Sequence, residues 1–189
     1  MLDHPGPKGS QAMDVKQWFT TVCQRNRLNV SDLKIDLIDR YAHELLEWNK
    51  KINLVSRKDE QNLWIRHLLG SISFLFQYSV YPNTAIADIG TGGGLPGIPI
   101  AILIPECRVT LIESIRKKTM AVSEIVNTLQ LSNVTVVNGR AEELSGRKEY
   151  VSAFDYVISR AAGSIWDLIN WSKPFLKTPT WFCANSSIV

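Results

Sequence analysis

The sequence predicts a doubly wound α/β fold, in which helices cover both faces of a parallel sheet, preceded by an all-helical N-terminal unit. Short β-rich runs alternate with helical segments after residue 84, a spacing typical of parallel strands joined by crossover helices. A glycine-rich stretch follows the first run, where open α/β sheets bind ligands. The predicted strands are 85–89, 109–113, 134–137 and 154–159, and the helical segments between them are about 97–104 and 116–131.

The N-terminal part of the chain has helical periodicity instead. We expect one helix from Asp14 to about Leu28, a second that Ser31 caps, and a third from about Asp59 to Phe76. An apolar stripe along the second helix is predicted to consist of Leu33, Leu37, Tyr41, Leu45, Trp48 and Ile52. The tryptophans of this region, Trp18, Trp48 and Trp64, are predicted to be core residues.

Composition sets the broad class of the protein. Residues 1–12 predict a non-native or disordered leader, residues 13–80 a helical unit, and residues 81–189 the α/β core. No apolar run approaches the roughly twenty residues that span a bilayer, and residues 1–12 lack the apolar core of a secretory signal, so we expect a cytoplasmic protein with no membrane partner. We also expect it to be monomeric. Cys23, Cys107 and Cys183 form no CxxC pair and indicate neither a disulfide framework nor a metal site. The net charge of +3 permits a nucleic-acid partner without arguing for one.

The stretch "IADIGTGGGLPGIPIAIL", residues 86–103, holds the strongest ligand signal. Glycine loses more backbone entropy on folding than other residues, so this density indicates a tight turn or a close approach to a ligand. Glu113 ends the second predicted strand, where an acid can accept hydrogen bonds from ribose hydroxyls. Dinucleotides and S-adenosylmethionine both bind at such a place.

Two residues favour S-adenosylmethionine over a dinucleotide. The dinucleotide fingerprint would need Gly or Ala at Leu95. Asp88 would repel a pyrophosphate, whereas it suits a ligand that carries an ammonium and a sulfonium group. The alternatives are that Asp88 only caps the turn and that Glu113 is a solvated acid at the end of a strand.

Several longer motifs resemble one family. "EWNKKINLVSRKD", "RHLLGS", "IADIGTGGGLPGIPIAI", "LIES", "GRAEEL" and "FDYVISRA", in this order, are similar to the RsmG (glucose-inhibited division B) family of bacterial 16S ribosomal RNA guanine-N7 methyltransferases. The resemblance runs from about Met13 to Leu176 and implies a class I S-adenosylmethionine-dependent methyltransferase with 16S ribosomal RNA or the small ribosomal subunit as its partner. The chain departs from the family at Gly70, usually Asp, and in "KTPTWFCANSSIV".

The resemblance also implies a set of site residues. Ala141 and Glu142 resemble the family's adenosine-contacting pair, and Arg160 becomes a binder of cofactor or RNA and a candidate catalytic residue. The alternatives are an acidic first helical turn for Glu142 and a surface ion pair for Arg160. The predicted cofactor-binding residues are Asp88, Gly90, Gly92, Gly94, Leu95, Glu113, Ala141, Glu142 and Arg160.

Methylation of guanine N7 requires little of the protein chemically. N7 carries an unprotonated lone pair at neutral pH, so positioning and electrostatics suffice and no general base is needed. The sequence has neither the Asn/Asp-Pro-Pro-aromatic segment used on exocyclic amines nor a Pro-Cys nucleophile, although a hydroxyl acceptor stays open. The candidate RNA-binding residues, which could equally belong to solvated faces, are Lys50, Lys51, Arg57, Lys58, Arg66, Lys117 and Lys118.

Two other functions stay open from the sequence. One is methylation of a small molecule, and the other is an inactive cofactor-binding fragment. If the C-terminal ending is truncated or altered, the fourth strand becomes an exposed apolar edge. We then expect poor solubility and weak methylation of RNA.

Overall fold

The computed structural model describes residues 14–160 and 162–177 of the 189-residue chain. The predicted leader, Cys183 and all but Lys177 of the segment that departs from the family's C-terminal pattern lie outside the described residues. Cys23 and Cys107 are buried free thiols.

Four parallel strands form the sheet, in the order β3-β2-β1-β4. The strands are β1 (Ala85–Ile89), β2 (Arg108–Glu113), β3 (Val134–Asn138) and β4 (Tyr156–Ser159). All five residues of β1 are buried, as expected for the central strand of a sheet covered on both faces. The predicted α/β fold is therefore confirmed. The fourth strand begins two residues later than predicted, because Phe154 forms only an isolated bridge with Leu176.

Side chains of the strands alternate between two cores. Ile86, Val109 and Leu111 pack on one face with the N-terminal helices, α4 (Gly97–Leu103) and α5 (Arg116–Thr128). On the opposite face, Ala87 and Ile112 are among the strand residues that pack with α6 (Ala141–Leu144) and α7 (Ile165–Ser172). This period of two is what a strand buried on both faces requires.

The N-terminal helices are α1 (Val15–Arg25) and α2 (Asp32–Asn49). The predicted third helix is instead a series of short turns of different pitch. They are a 3₁₀ turn (Arg57–Asn62), a π-helical segment (Leu63–Leu69), α3 (Gly70–Ile72) and a second 3₁₀ turn (Ser73–Phe76). The hydroxyls of Ser71 and Ser73 donate to the carbonyls of His67 and Gly70, and such bonds compete with the regular helical ladder. No helix within residues 14–160 and 162–177 combines the length and apolarity needed to cross a membrane.

The predicted apolar stripe of α2 is right in its centre and wrong at its start. Tyr41 and Leu45 are fully buried, whereas Leu33 is 81% exposed. The buried face runs through Ile35 and Ile38, and Leu33 lies on roughly the opposite side of a helix with 3.6 residues per turn. Ser31 occupies the N-cap position without a side-chain capping bond.

The tryptophans of the helical unit pack as predicted. Trp18, Trp48 and Trp64 are partly buried against the first core. The ring of Trp64 meets the ring of Phe19 edge-on, with centroids 5.4 Å apart. The helical unit and the sheet therefore share one core.

Two glycines at ordinary helical dihedrals test this packing. A Cβ at Gly70 would meet no atom within 4 Å, whereas a Cβ at Gly97 would lie 2.2 Å from Leu111 Cδ2. We predict that Gly70→Ala raises the free energy of unfolding by about 0.5–1 kcal/mol, because alanine loses less backbone entropy. Gly97→Ala should lower it by about 1–3 kcal/mol through overpacking. Guanidinium denaturation measures both, and a destabilised Gly70→Ala variant would contradict the open space at that position.

Candidate active site

The glycine loop, residues 90–96, lies between β1 and α4 at the carboxyl edge of the sheet. Gly90, Gly92 and Gly94 have φ angles of +68°, +59° and +97°, a region that L side chains rarely adopt. The amides of Gly90 and Thr91 both donate to the carbonyl of Ile112, at 2.9 and 3.1 Å. The loop is thereby tied to the neighbouring strand β2.

Asp88 lies beneath this loop with no exposed surface. Its Oδ2 accepts hydrogen bonds from Thr91 Oγ1 at 2.6 Å and from the amide of Gly97 at 2.8 Å. Among the described residues, no group bonds to the buried Oδ1. Burial raises the pKa of this carboxyl to about 6, against the opposing effects of those two hydrogen bonds and of Arg160. Asp88 thus caps the turn, and its contact with the cofactor stays a prediction.

Glu113 braces the loop from the end of β2. Its Oε2 accepts from the amide of Gly92 at 3.0 Å, and its Oε1 accepts from the amide of Ile115 at 2.8 Å. Each carboxylate oxygen can accept a further hydrogen bond. A ribose contact by Glu113 is compatible with this geometry and stays a prediction.

Close packing explains the remaining loop positions. A Cβ at Gly90 would lie 2.3 Å from Ala162 Cβ, and one at Gly94 would lie 2.4 Å from Ile98 Cδ1. Leu95 is buried in the first core. Gly90 therefore lets the segment after β4 reach the glycine loop, whereas Leu95 anchors the loop from below.

Ala141 and Glu142 begin α6, directly after β3. Ala141 is buried in the second core. Glu142 is exposed, and its Oε1 lies 3.4 Å from Arg140 Nη1. The structure thus places both residues at the same carboxyl edge as the loop, and their contact with adenosine stays a prediction.

Arg160 follows β4 and turns toward the N-terminal unit. Its Nη2 lies 2.7 Å from Nδ1 of His67, and its Nη1 donates to the carbonyls of Arg66 and His67, both at 3.4 Å. Burial lowers the pKa of the guanidinium, while Tyr41 and Asp88 act in the opposite direction. The arginine therefore belongs to the charged cluster around the loop.

Two residues that support the site were missed from the sequence. The Tyr41 hydroxyl donates to the carbonyl of Gly93 at 2.9 Å, although the residue was assigned only to an apolar stripe. Asn49 is fully buried, and its Oδ1 accepts from the amides of Leu54 and Val55 at 2.7 and 2.9 Å. This fixes Leu54 against Gly93, where a Cβ would lie 3.2 Å from Leu54 Cβ. The motif "EWNKKINLVSRKD", which carries part of the family resemblance, was the available signal for Asn49.

The candidate RNA-binding residues lie in two regions, one in residues 57–66 and the other at the end of α2 and the start of α5. Arg66 pairs with Asp59 at 3.0 Å, and Arg57 and Lys58 are exposed in the first 3₁₀ turn. The end of α2 and the start of α5 instead flank one groove of about 590 Å³. Its lining residues are Trp48, Arg116, Thr119, Met120, Ser123, Glu124 and Asn138.

The four lysines at the end of α2 and the start of α5 differ in their surroundings. Lys51 places its Nζ 4.9 Å from the centre of the Trp48 ring, and Lys50 pairs with Glu47 at 2.5 Å. Lys117 is exposed and Lys118 is half-buried.

In the part of the chain that the structure describes, no three His, Cys, Asp or Glu side chains are placed to hold a metal ion.

Solved structures show the class of fold. One similar structure is a candidate S-adenosyl-L-methionine-dependent methyltransferase from Methanococcus maripaludis, with a TM-score of 0.52, 10% identity, and coverage of 95% of this chain and 67% of that one. Another is the YcgJ protein from Bacillus subtilis, with a TM-score of 0.51, 15% identity, and coverage of 62% and 50%. The fold is that of class I S-adenosylmethionine-dependent methyltransferases.

Sequence relatives identify the family. The GidB family, described as rRNA small subunit methyltransferase G, matches residues 34–185, and the chain belongs to it. Proteins named ribosomal RNA small subunit methyltransferase G are 40% identical in Flavobacterium johnsoniae, over 79% of this chain and 68% of the relative, and 32% identical in Alkaliphilus oremlandii, over 90% and 71%. The relative in Colwellia psychrerythraea is 38% identical over 88% and 76%. The chain is an S-adenosylmethionine-dependent methyltransferase.

The residues present fit this cofactor. The positive φ angles of Gly90, Gly92 and Gly94 give the glycine loop a tight backbone turn at the carboxyl edge of the sheet, where open α/β sheets bind ligands. Asp88 Oδ1 is a buried acceptor without a partner among the described groups, and Glu113 retains acceptor capacity at the end of β2. Acceptors of this kind suit a cationic ligand that carries a ribose, and their contacts with the cofactor stay predictions.

The buried carboxyl of Asp88 predicts a pH-dependent stability. A pKa of about 6 in the folded state exceeds the ordinary 3.8, so this group stabilises the fold at low pH and loses that contribution as pH rises through 6. Between about pH 4.5 and pH 7.5 we expect a loss of about 2 kcal/mol. Asp88→Asn, which retains an acceptor for Gly97 and does not titrate, should not show this loss. Urea denaturation of both proteins at the two pH values measures the difference, and parallel profiles would contradict the assignment.

Proposed function

We propose that the protein transfers a methyl group from S-adenosylmethionine to N7 of a guanine in 16S ribosomal RNA, and that it acts as a cytoplasmic monomer on this RNA or on the small ribosomal subunit. One observation carries the proposal. A glycine loop held by Asp88 lies beside Glu113 and Arg160 at one edge of a class I methyltransferase sheet. Membership of the GidB family supports ribosomal RNA as the substrate.

Two parts of the chain share the work in this proposal. The core from residue 81 onward provides the loop, Glu113 and the residues at the start of α6. The helical unit, residues 13–80, supports the loop through the bond from Tyr41 to Gly93 and through the packing of Leu54. Both parts are therefore needed to shape one site.

The cofactor-binding residues are proposed to act as follows. When bound, S-adenosylmethionine supplies an electrophilic methyl group on its sulfonium. The glycine loop offers close backbone approach, Glu113 accepts from the ribose hydroxyls, and Ala141 and Glu142 flank the adenine. Asp88 acts mainly by holding Thr91 and Gly97 in place, and its charge also favours a cationic ligand.

Arg160 is proposed to position the acceptor. Its bonds to His67 and to the neighbouring carbonyls leave other N–H donors of the guanidinium for a ligand. Guanine O6 lies next to N7 and accepts such bonds readily. Because N7 needs no deprotonation, Arg160 has to orient the base and no group has to remove a proton.

The RNA strand is proposed to cross the groove between α2 and α5. Arg116 lines this groove together with the partly buried Trp48 and the exposed Met120. Lys51 places its Nζ over the ring of Trp48. Cations interleaved with an aromatic ring are the usual surface for single-stranded nucleic acid. Of the candidate lysines, Lys51 would then serve this surface.

Methylation of 16S ribosomal RNA tests the function. Incubation with labelled S-adenosylmethionine, followed by mass mapping of nucleosides, should locate 7-methylguanine in 16S RNA and no label in 23S RNA or in a metabolite pool. The single-turnover rate should stay flat between about pH 7 and pH 9, since no base operates.

Arg160→Ala should lower the rate about tenfold or more, and Arg160→Lys should recover part of it. A rate that rises with pH would indicate a hydroxyl acceptor, and cofactor binding without turnover would indicate an inactive fragment.

Salt dependence tests the RNA surface. Lys51→Gln and Arg116→Gln should each weaken RNA binding and reduce the slope of log affinity against log salt by about 0.7–0.9, the value for one lost phosphate contact. Lys148→Gln is the matched control, because Lys148 is an exposed lysine between α6 and β4. Titration of fluorescent 16S fragments at several salt concentrations measures the slopes. Equal slopes for all three variants would place the RNA elsewhere.

A further inference from the structure

The contact between Arg160 and His67 joins two parts of the chain that are 93 residues apart. Arginine donates hydrogen bonds and has no acceptor. Nδ1 of His67, 2.7 Å from Arg160 Nη2, must therefore be the unprotonated nitrogen of the ring. The ring proton then resides on Nε2, and His67 is neutral while this contact exists.

The other nitrogen of the ring, Nε2, is buried beside a carboxylate that is too far away for a hydrogen bond. His67 Nε2 is buried and has no partner within hydrogen-bond distance among the described groups, and the nearest carboxylate, Asp59 Oδ2, lies 4.0 Å away. The other oxygen of Asp59, Oδ1, pairs with Arg66 at 3.0 Å. The His67 side chain is only 13% exposed, so water has little access to it. This surrounding favours the Nε2-protonated tautomer that Arg160 needs.

The backbone next to His67 completes the binding site for the guanidinium. The carbonyls of Arg66 and His67 both accept from Arg160 Nη1 at 3.4 Å. They belong to the π-helical segment Leu63–Leu69, and π-helical turns often lie at functional sites. Arg160 therefore has one ring nitrogen and two carbonyls of a single short segment as its acceptors.

We propose that His67 is a positioning residue: its neutral imidazole holds the Arg160 guanidinium in the active site, and protonation of the imidazole releases that guanidinium. A protonated ring would turn an N–H toward the N–H groups of Arg160 and place two cations in contact. The consequence for methyl transfer rests on the proposed function, whereas the tautomer and the contact do not.

The charged groups around His67 set the pH at which release occurs. Burial lowers the pKa of His67 from 6.5, Arg160 and Arg66 lower it further, and Asp59 opposes them. Asp88 and Tyr41 act on Arg160, where both raise the pKa of the guanidinium. His67 is accordingly neutral at pH 7 and above, and the contact is lost only in acid.

Spectroscopy of the resting protein tests the contact without any substrate. The ¹⁵N shifts of labelled histidine should report the Nε2-protonated tautomer of His67 at pH 7. Arg160→Ala should raise the pKa of His67, because it removes the adjacent cation, whereas Lys148→Gln should leave it unchanged. An Nδ1-protonated ring, or a pKa that Arg160→Ala does not move, overturns the proposal whatever the protein methylates.

Kinetics test the consequence for turnover. At saturating cofactor, the single-turnover rate of the parent should fall about tenfold per pH unit below the pKa that the ¹⁵N titration assigns to His67. The carbonyl of His67→Asn can replace Nδ1 without titrating, so this variant should keep at least a third of the rate at pH 7.5 and lose the acid fall. His67→Gln, whose amide reaches the Nε2 position, should lose about tenfold at every pH. If the single-turnover rate of His67→Asn still falls at low pH while the variant keeps the melting temperature of the parent, the proposal is overturned.

Discussion

The buried carboxylate of Asp88 ties the start of the glycine loop to the first residue of α4, and the geometry of the site depends on those two bonds. Oδ2 accepts from Thr91 and from Gly97, so the loop must close over the end of β1. The absence of a side chain at Gly97 permits this, since a Cβ there would lie 2.8 Å from the same oxygen. The two donors to Oδ2 offset part of the cost of burying this carboxylate.

The helical unit does more than cover the sheet. Tyr41, Leu45 and Leu54 contact the loop at Gly93, and the π-helical segment provides the acceptors for Arg160. Asn49 holds Leu54 in place through two backbone amides. A substitution in this unit can therefore change the site without touching the α/β core.

The ionisable groups around the glycine loop shift one another's pKa values. Asp88 and Arg160 each shift the pKa of the other, and both act on Tyr41, whose pKa burial raises well above the usual value. His67 can remain beside a guanidinium only as the neutral ring. The arrangement keeps one buried anion and one half-buried cation in the same small region, where each charge favours the charged form of the other group.

The sequence by itself determined the sheet, the glycine loop, and the places of Asp88, Glu113 and Arg160 at the ends of strands, because strand and loop patterns are local and parallel strands all end at one edge. It did not determine their partners. The contact of Arg160 with His67, the bond from Tyr41 to Gly93, and the groove that joins Trp48 to Arg116 depend on how distant segments pack. The same limit explains the errors at Leu33 and in the helix predicted for residues 59–76, where the direction of the core and side-chain hydrogen bonds overrode the local apolar period. Periodicity records which face of an element is buried, whereas only the tertiary structure decides what that face meets.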